Sequence, residues 1–297
     1  MPTAETTRPT TILLIHGMWM TGKSWQPWIR HYAQRGFDVL APSWPGLDVG
    51  VEALRSDPTP LARLRTQQIV DHYHAIIRDL PNPPIIIGHS YGGAITQVLL
   101  DRGLGAAGVG LHAAFVKGVY TLPWRTLRST WRIALNPLNA HRAPALTHGE
   151  FHHAFASSVD RLESDRIYAQ QCVPTAGRAF FEGITANLHR HSALAVDPRN
   201  HTRAPLLLVG SEADNLLPFP MQRATHHFYR HSRAVTELVE MPGRSHDTIS
   251  QDGWETVADR ILAWALDRAG MTERVLVQPP TAFVAPRPTP PGGARMP

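Results

Sequence analysis

Hydrophobic residues recur along the chain in two rhythms. Short apolar runs bounded by Gly and Pro fall at Thr11–Ile15 (TILLI), Phe37–Ala41, Pro84–Gly88 (PIIIG), Gly108–Ala113, Pro205–Gly210 (PLLLVG) and Val235–Met241. Runs of this length with such borders predict strands, and Thr11–Ile15 reads as a buried one. Longer stretches between them, Trp25–Arg35, Leu61–Leu80, Tyr91–Arg102, Met221–Tyr229 and Glu255–Arg268, predict helices. In Leu61–Leu80 the apolar positions Ile69, Tyr73, Ile76, Ile77 and Leu80 trace one helical face, and Pro81–Pro84 ends it. The segment before it, rich in Pro, Gly and Asp, predicts a loop. Strands alternating with helices predict an α/β fold with a mostly parallel sheet covered by helices on both faces.

That alternation stops between Val119 and Arg203, where the text is helical with scattered aromatics and prolines. We therefore expect an α/β core in two parts, residues 1–118 and 204–270, interrupted by a helical cap at 119–203. Beyond it, 271–297 holds the run Pro279–Pro297 with seven prolines, which predicts a disordered tail.

Composition narrows the class. The 297 residues are 43% hydrophobic and 18% charged, enough to bury a large core. The single cysteine, Cys172, excludes an internal disulfide or a thiolate zinc cluster and predicts a small packing residue. No apolar run has the length of a membrane span, and no apolar stretch precedes Thr11, so the expectation is a cytoplasmic protein without a leader and without a membrane partner. The net charge is +5, but the arginines are scattered without a basic run, so no nucleic-acid partner is expected. The seventeen histidines include the pairs His72/His74, His152/His153, His189/His191 and His226/His227, none at metal-ligand spacing. No metal and no organic cofactor are expected, and Gly22-Lys23-Ser24 lacks the earlier glycine of a phosphate loop.

The chemistry concentrates in three places. Gly88-His89-Ser90-Tyr91-Gly92 matches G-x-S-x-G directly after a strand and before a helix, the context in which a sharp turn lifts a serine hydroxyl above a sheet. A serine needs a base, and the base needs an orienting acid. Asp214 follows the strand Pro205–Gly210, with Glu212 as the competing acid, and His246 follows the strand Val235–Met241. An oxyanion needs two backbone donors. The Tyr91 amide supplies one, and Met18, in His16-Gly17-Met18-Trp19 after the first strand, supplies the other; His16 is expected to be structural. Trp19, Phe180 and Phe181 are candidates for a substrate pocket. Phe180 and Phe181 are neighbours on an expected helix, so at most one should point inward.

These motifs, HGMW, GHSYGG, the Asp after PLLLVG and the late GRSH, resemble the α/β-hydrolase superfamily in its branch with a helical cap. The resemblance spans roughly Thr11–Arg268. It implies an α/β-hydrolase fold and a Ser90–His246–Asp214 triad. Related dehalogenases and epoxide hydrolases carry aspartate at the elbow, where this chain has Ser90. Hydroxynitrile lyases look similar around HGMW, but their lysine before the late histidine has no counterpart in Glu237–Ser245.

The expected function is a serine hydrolase, a monomer or homodimer, that cleaves a small to medium, largely apolar carboxylic ester or lactone through an acyl-serine. The alternatives are a C–C hydrolase or a cofactor-free perhydrolase or haloperoxidase on the same triad. A non-catalytic binding protein on this scaffold is less favoured because all three triad residues are present. With the triad drawn from core loops, the insertion is expected to shape the pocket and set substrate choice without disturbing the chemistry.

Overall fold

Thr11–Ile15 (β1) is buried at every position. Its alternating side chains serve two different cores: Ile12 and Leu14 join one, Leu13 and Ile15 the other. A strand buried on both faces belongs inside a covered parallel sheet. In the computed structural model, which describes residues 10–121 and 123–271, β1 pairs in parallel with Asp38–Leu40 (β2) on one side and Ile85–His89 (β3) on the other. The sheet continues in parallel through Ala107–Leu111 (β4), Leu206–Gly210 (β5) and Thr236–Glu240 (β6), in the order β2-β1-β3-β4-β5-β6. The fold class expected from the alternation is therefore the observed one. The Pro-rich tail lies outside the described residues.

Helices Gln26–Ala33 (α1) and Trp254–Arg268 (α10) cover one face, where Trp28, Tyr32, Ile261 and Leu262 meet Ile12, Leu14, Ile85 and Ile87. Thr66–Arg78 (α3), Tyr91–Asp101 (α4) and Phe219–Phe228 (α9) cover the other, contributing Ile69, Tyr73, Ile95, Val98 and Met221. Between β4 and β5 lie Trp124–Ala134 (α5), His148–Ala154 (α6), Arg161–Gln171 (α7) and Gly177–Ile184 (α8).

Two elements differ from the sequence expectation. The helix foreseen over Leu61–Leu80 begins only at Thr66: Gln68 Oε1 accepts from Arg65 N at 3.0 Å and Glu182 Oε2 from Thr66 N at 2.9 Å, so the first-turn donors are satisfied there. The preceding loop contains a helix, Val51–Ser56 (α2), whose single buried residue, Leu54, leaves no period to detect. Cys172 is buried among apolar residues as expected, its thiol pushed up to about 12 by burial.

The chain runs outward from β1 to β2, then crosses back to β3, so the direction of winding reverses between β1 and β3. The space above the carboxyl ends of such neighbours is where open α/β sheets bind ligands. Register decides what faces it. Ile15 lies opposite Gly88 and His89 opposite Leu111, which brings the chain after Ile15, the turn at Ser90 and His112 side by side.

Candidate active site

Ser90 joins β3 to α4 with φ 56° and ψ −120°, a conformation that a residue with a Cβ adopts only under constraint. The constraint is visible: Ser90 N donates to Leu111 O, and Ser90 O accepts from Gly93 N and Ala114 N, each at 2.9 Å. The flanking glycines permit the turn. A Cβ on Gly88 would lie 2.2 Å from Gly92 O, and one on Gly92 would lie 2.2 Å from Ile15 O. On the other side, a Cβ on Gly17 would lie 2.6 Å from Ser90 Cβ, so the His16–Trp19 loop closes directly on the serine.

Two N–H groups border the serine without an acceptor of their own: neither Met18 N nor Tyr91 N donates to any described residue. Tyr91 opens α4, where first-turn amides have no helical partner. The loop carrying Met18 is braced by His16, whose Nδ1 donates to Gly17 O at 2.8 Å and whose Nε2 accepts from Trp44 N at 3.1 Å. Burial pushes His16 down to about 4, so the ring is neutral with a fixed tautomer. His16 is structural, as expected.

Asp214 is fully buried after β5. Its Oδ1 accepts from Leu216 N at 2.7 Å and Leu217 N at 2.8 Å, and its Oδ2 accepts from His246 Nδ1 at 2.8 Å and His112 Nδ1 at 2.7 Å. Burial opposes ionisation, but the neighbouring His246 and the hydrogen bonds from both histidines outweigh it and hold the carboxyl well below the usual range. Glu212, the competing acid, is exposed and faces Arg223 at 3.5 Å. Ligand-type atoms of His112, Asp214 and His246 lie within 4.8 Å of one another, and each Nδ1 meets Oδ2 at hydrogen-bond distance.

His246 Nε2 is buried and bonds to no described residue. The loop that carries it is held from below by His89, whose Nε2 donates to His246 O at 2.8 Å; the two rings lie 4.8 Å apart. Burial, then the neighbouring His246 and His112, holds His89 well below the ordinary histidine value, so it stays neutral.

The segment between β4 and β5 touches this loop. Phe155, at the end of α6, meets the His246 ring edge-on at 4.8 Å, Asp247 N donates to Phe155 O at 2.9 Å, and Ser158 Oγ donates to Ser245 Oγ at 2.9 Å. The reason is geometric: a segment that roofs the carboxyl edge of the sheet also lies on the loops that edge carries.

Ser90 sits at the edge of a cavity of about 220 Å³. Its lining contains Met18, Trp19, Phe115, Leu127, Phe180, Ile184 and Leu217, with Thr126 and Thr130, and no charged side chain. Trp19 and Phe180 meet at 5.9 Å. Phe181 does not line the cavity; it packs against Phe180 at 5.6 Å on a neighbouring face of α8, so that candidate is corrected. Sequence reasoning missed His89, His112 and Phe155 as neighbours of the site. The position of His89 beside Ser90 was a signal; the other two offered none without the sheet order.

The model of the alpha/beta hydrolase family matches residues 12–260. Solved structures are similar in fold. A pyrethroid hydrolase from Sphingobium faniae JZ-2 is 21% identical, with 86% of this chain and 97% of that one covered and a TM-score of 0.60. A monoacylglycerol lipase from Paleococcus ferrophilus is 18% identical, with 88% and 96% covered and a TM-score of 0.58. A putative non-heme bromoperoxidase from Mycobacterium tuberculosis H37Rv is 15% identical, with 87% and 92% covered and a TM-score of 0.64. No curated protein sequence matches significantly. No helix among the described residues is long and apolar enough to cross a membrane.

Proposed function

Since this chain belongs to the alpha/beta hydrolase family across residues 12–260 and is a hydrolase, we propose that it is a serine esterase acting on small to medium, largely apolar carboxylic esters or lactones. The observation that carries this reading is the 2.8 Å bond from His246 Nδ1 to the buried Asp214, which leaves Nε2 as the free ring nitrogen on a loop whose His246 carbonyl is bound by His89, the residue before Ser90. The similar structures described as a pyrethroid hydrolase and a monoacylglycerol lipase support ester cleavage.

In the proposed reaction Ser90 Oγ attacks the ester carbonyl carbon while His246 Nε2 takes its proton. The oxygen that becomes negative is held by the Met18 and Tyr91 N–H groups, each contributing about 10²–10³ in rate. Asp214 keeps the His246 proton on Nδ1 and stabilises the imidazolium. Collapse expels the alcohol, which takes the proton from His246. Water, deprotonated by His246, then attacks the acyl-Ser90 carbonyl. The acid leaves and Ser90 recovers its proton. Residues 119–203 act as a cap, and their uncharged share of the cavity favours apolar acyl or alcohol groups.

The test is turnover of p-nitrophenyl esters of increasing acyl length, beside a β-diketone. The reading requires ester hydrolysis by the wild-type enzyme. Cleavage of the diketone with inert esters would replace it by carbon–carbon hydrolysis.

A further inference from the structure

We propose that His112 is a positioning residue of this triad: by donating to the Asp214 oxygen that also receives His246, it fixes the carboxylate for the general base. The proposal rests on the serine-hydrolase reading above. His112 Nδ1 and His246 Nδ1 meet the same Oδ2 at 2.7 and 2.8 Å, while two backbone amides hold Oδ1. Two donors occupy both lone pairs of Oδ2. The carboxylate cannot turn about its Cβ–Cγ bond, or exchange its oxygens, without breaking four hydrogen bonds.

Two features show that His112 is more than packing. Its backbone sits at φ 45°, uncommon for a residue with a Cβ, in a chain segment tied down by His112 N donating to Val209 O at 2.7 Å. Its Nε2 is buried and bonds to no described residue. An apolar side chain at this strand end would carry no such desolvation penalty. Among the described residues, the side-chain hydrogen bond that offsets this desolvation is the one to Asp214.

The consequence falls on the proton-transfer steps. When His246 accepts the Ser90 proton it becomes cationic and pulls harder on Oδ2. His112 and the two amides hold that oxygen in place, so Nε2 stays aimed at the serine until the proton is returned. His112 touches no substrate, so the effect belongs in kcat and not in KM.

The experiment compares wild-type enzyme with His112→Leu and His112→Asn. Asparagine tolerates the left-handed backbone and keeps an N–H donor. Each protein is titrated with a fluorophosphonate, melted, and assayed on a p-nitrophenyl ester. His112→Leu should label fully at Ser90, keep KM within about twofold and lose about ten- to a hundredfold in kcat. His112→Asn should recover most of that loss. Unchanged kcat in folded His112→Leu, or no recovery in folded His112→Asn, overturns the proposal. If His112→Leu does not fold, histidine-¹⁵N NMR of the wild-type protein decides. Two strongly deshielded Nδ1–H signals, both lost in Asp214→Ala, support the shared carboxylate, and a single signal overturns it. Failure of the underlying reading shows separately, as wild-type enzyme that takes no label at Ser90. Failure of the proposal alone leaves the wild type labelled and active.

Discussion

Ser90 holds φ 56° although it carries a side chain, and its hydroxyl makes no hydrogen bond that packing depends on. Ser90→Ala should therefore remove ester hydrolysis by about 10³-fold or more while the protein still folds. Ser90→Gly should be equally inactive yet more stable than Ser90→Ala by about 1 kcal/mol, because glycine adopts this backbone without strain. Paired denaturant melts check the order. A second comparison concerns the acid. Asp214 has four donors, whereas Glu212 is exposed beside Arg223. Asp214→Asn should lower kcat by about 10³–10⁴, and Glu212→Gln should leave it within about twofold. Near-equal losses in steady-state assays would remove Asp214 from the role. The candidates Ser90, Asp214 and His246 were legible because each follows an apolar run in the order the motif implies. The neighbours that hold them were not: His112 meets Asp214 across 102 residues and His89 meets the His246 carbonyl across 157, pairings set by sheet order and loop return.

The strands at the centre of the sheet were the most legible elements, since β1, β3 and β5 are short apolar runs with Gly or Pro nearby; TILLI and β1 coincide, whereas β6, TELVE, is half polar. Helix starts were less so, because Gln68 and Glu182 fix the start of α3 through contacts that no periodicity displays. The helices between β4 and β5 were legible only as helical text. Their side chains divide by what they touch. Phe180 lines the cavity and meets Trp19 at 5.9 Å, Phe181 stays outside it, and Phe155 meets His246 at 4.8 Å. Phe180→Ala should change relative kcat/KM among acyl lengths, on the scale of about 1–3 kcal/mol per fitted methylene, while Phe181→Ala leaves the ranking unchanged. Phe155→Ala should lower kcat for every ester, because its ring packs against His246; it also meets Trp19 of the cavity lining at 6.0 Å, so a change in the chain-length ranking should accompany the loss. Chain-length profiles for the three variants check this, and identical profiles would contradict it.

At the scale of the whole molecule, loops after β1, β3, β4, β5 and β6 meet at one edge of the sheet, and most of their polar groups are buried there. One consequence is a pH-dependent stability. Asp247 is buried and takes a hydrogen bond from Ser250 Oγ; burial, the largest effect, raises its carboxyl from 3.8 to about 7. Between those values the unfolded chain binds fewer protons at this residue than the folded one, so its contribution to stability falls as pH rises and levels off above about 7. Asp247→Asn should remove that trend. Its unfolding free energy relative to wild type should climb from pH 4 to pH 7, by about 4 kcal/mol at most, and a pH-independent difference would contradict the assignment. The central claim, an activated serine at this edge, is tested most directly by mass spectrometry of the enzyme after reaction with a fluorophosphonate. The account predicts one equivalent of label, on the peptide containing Ser90, with ester turnover falling in proportion. Label on another residue, or full turnover by enzyme labelled at Ser90, would contradict it.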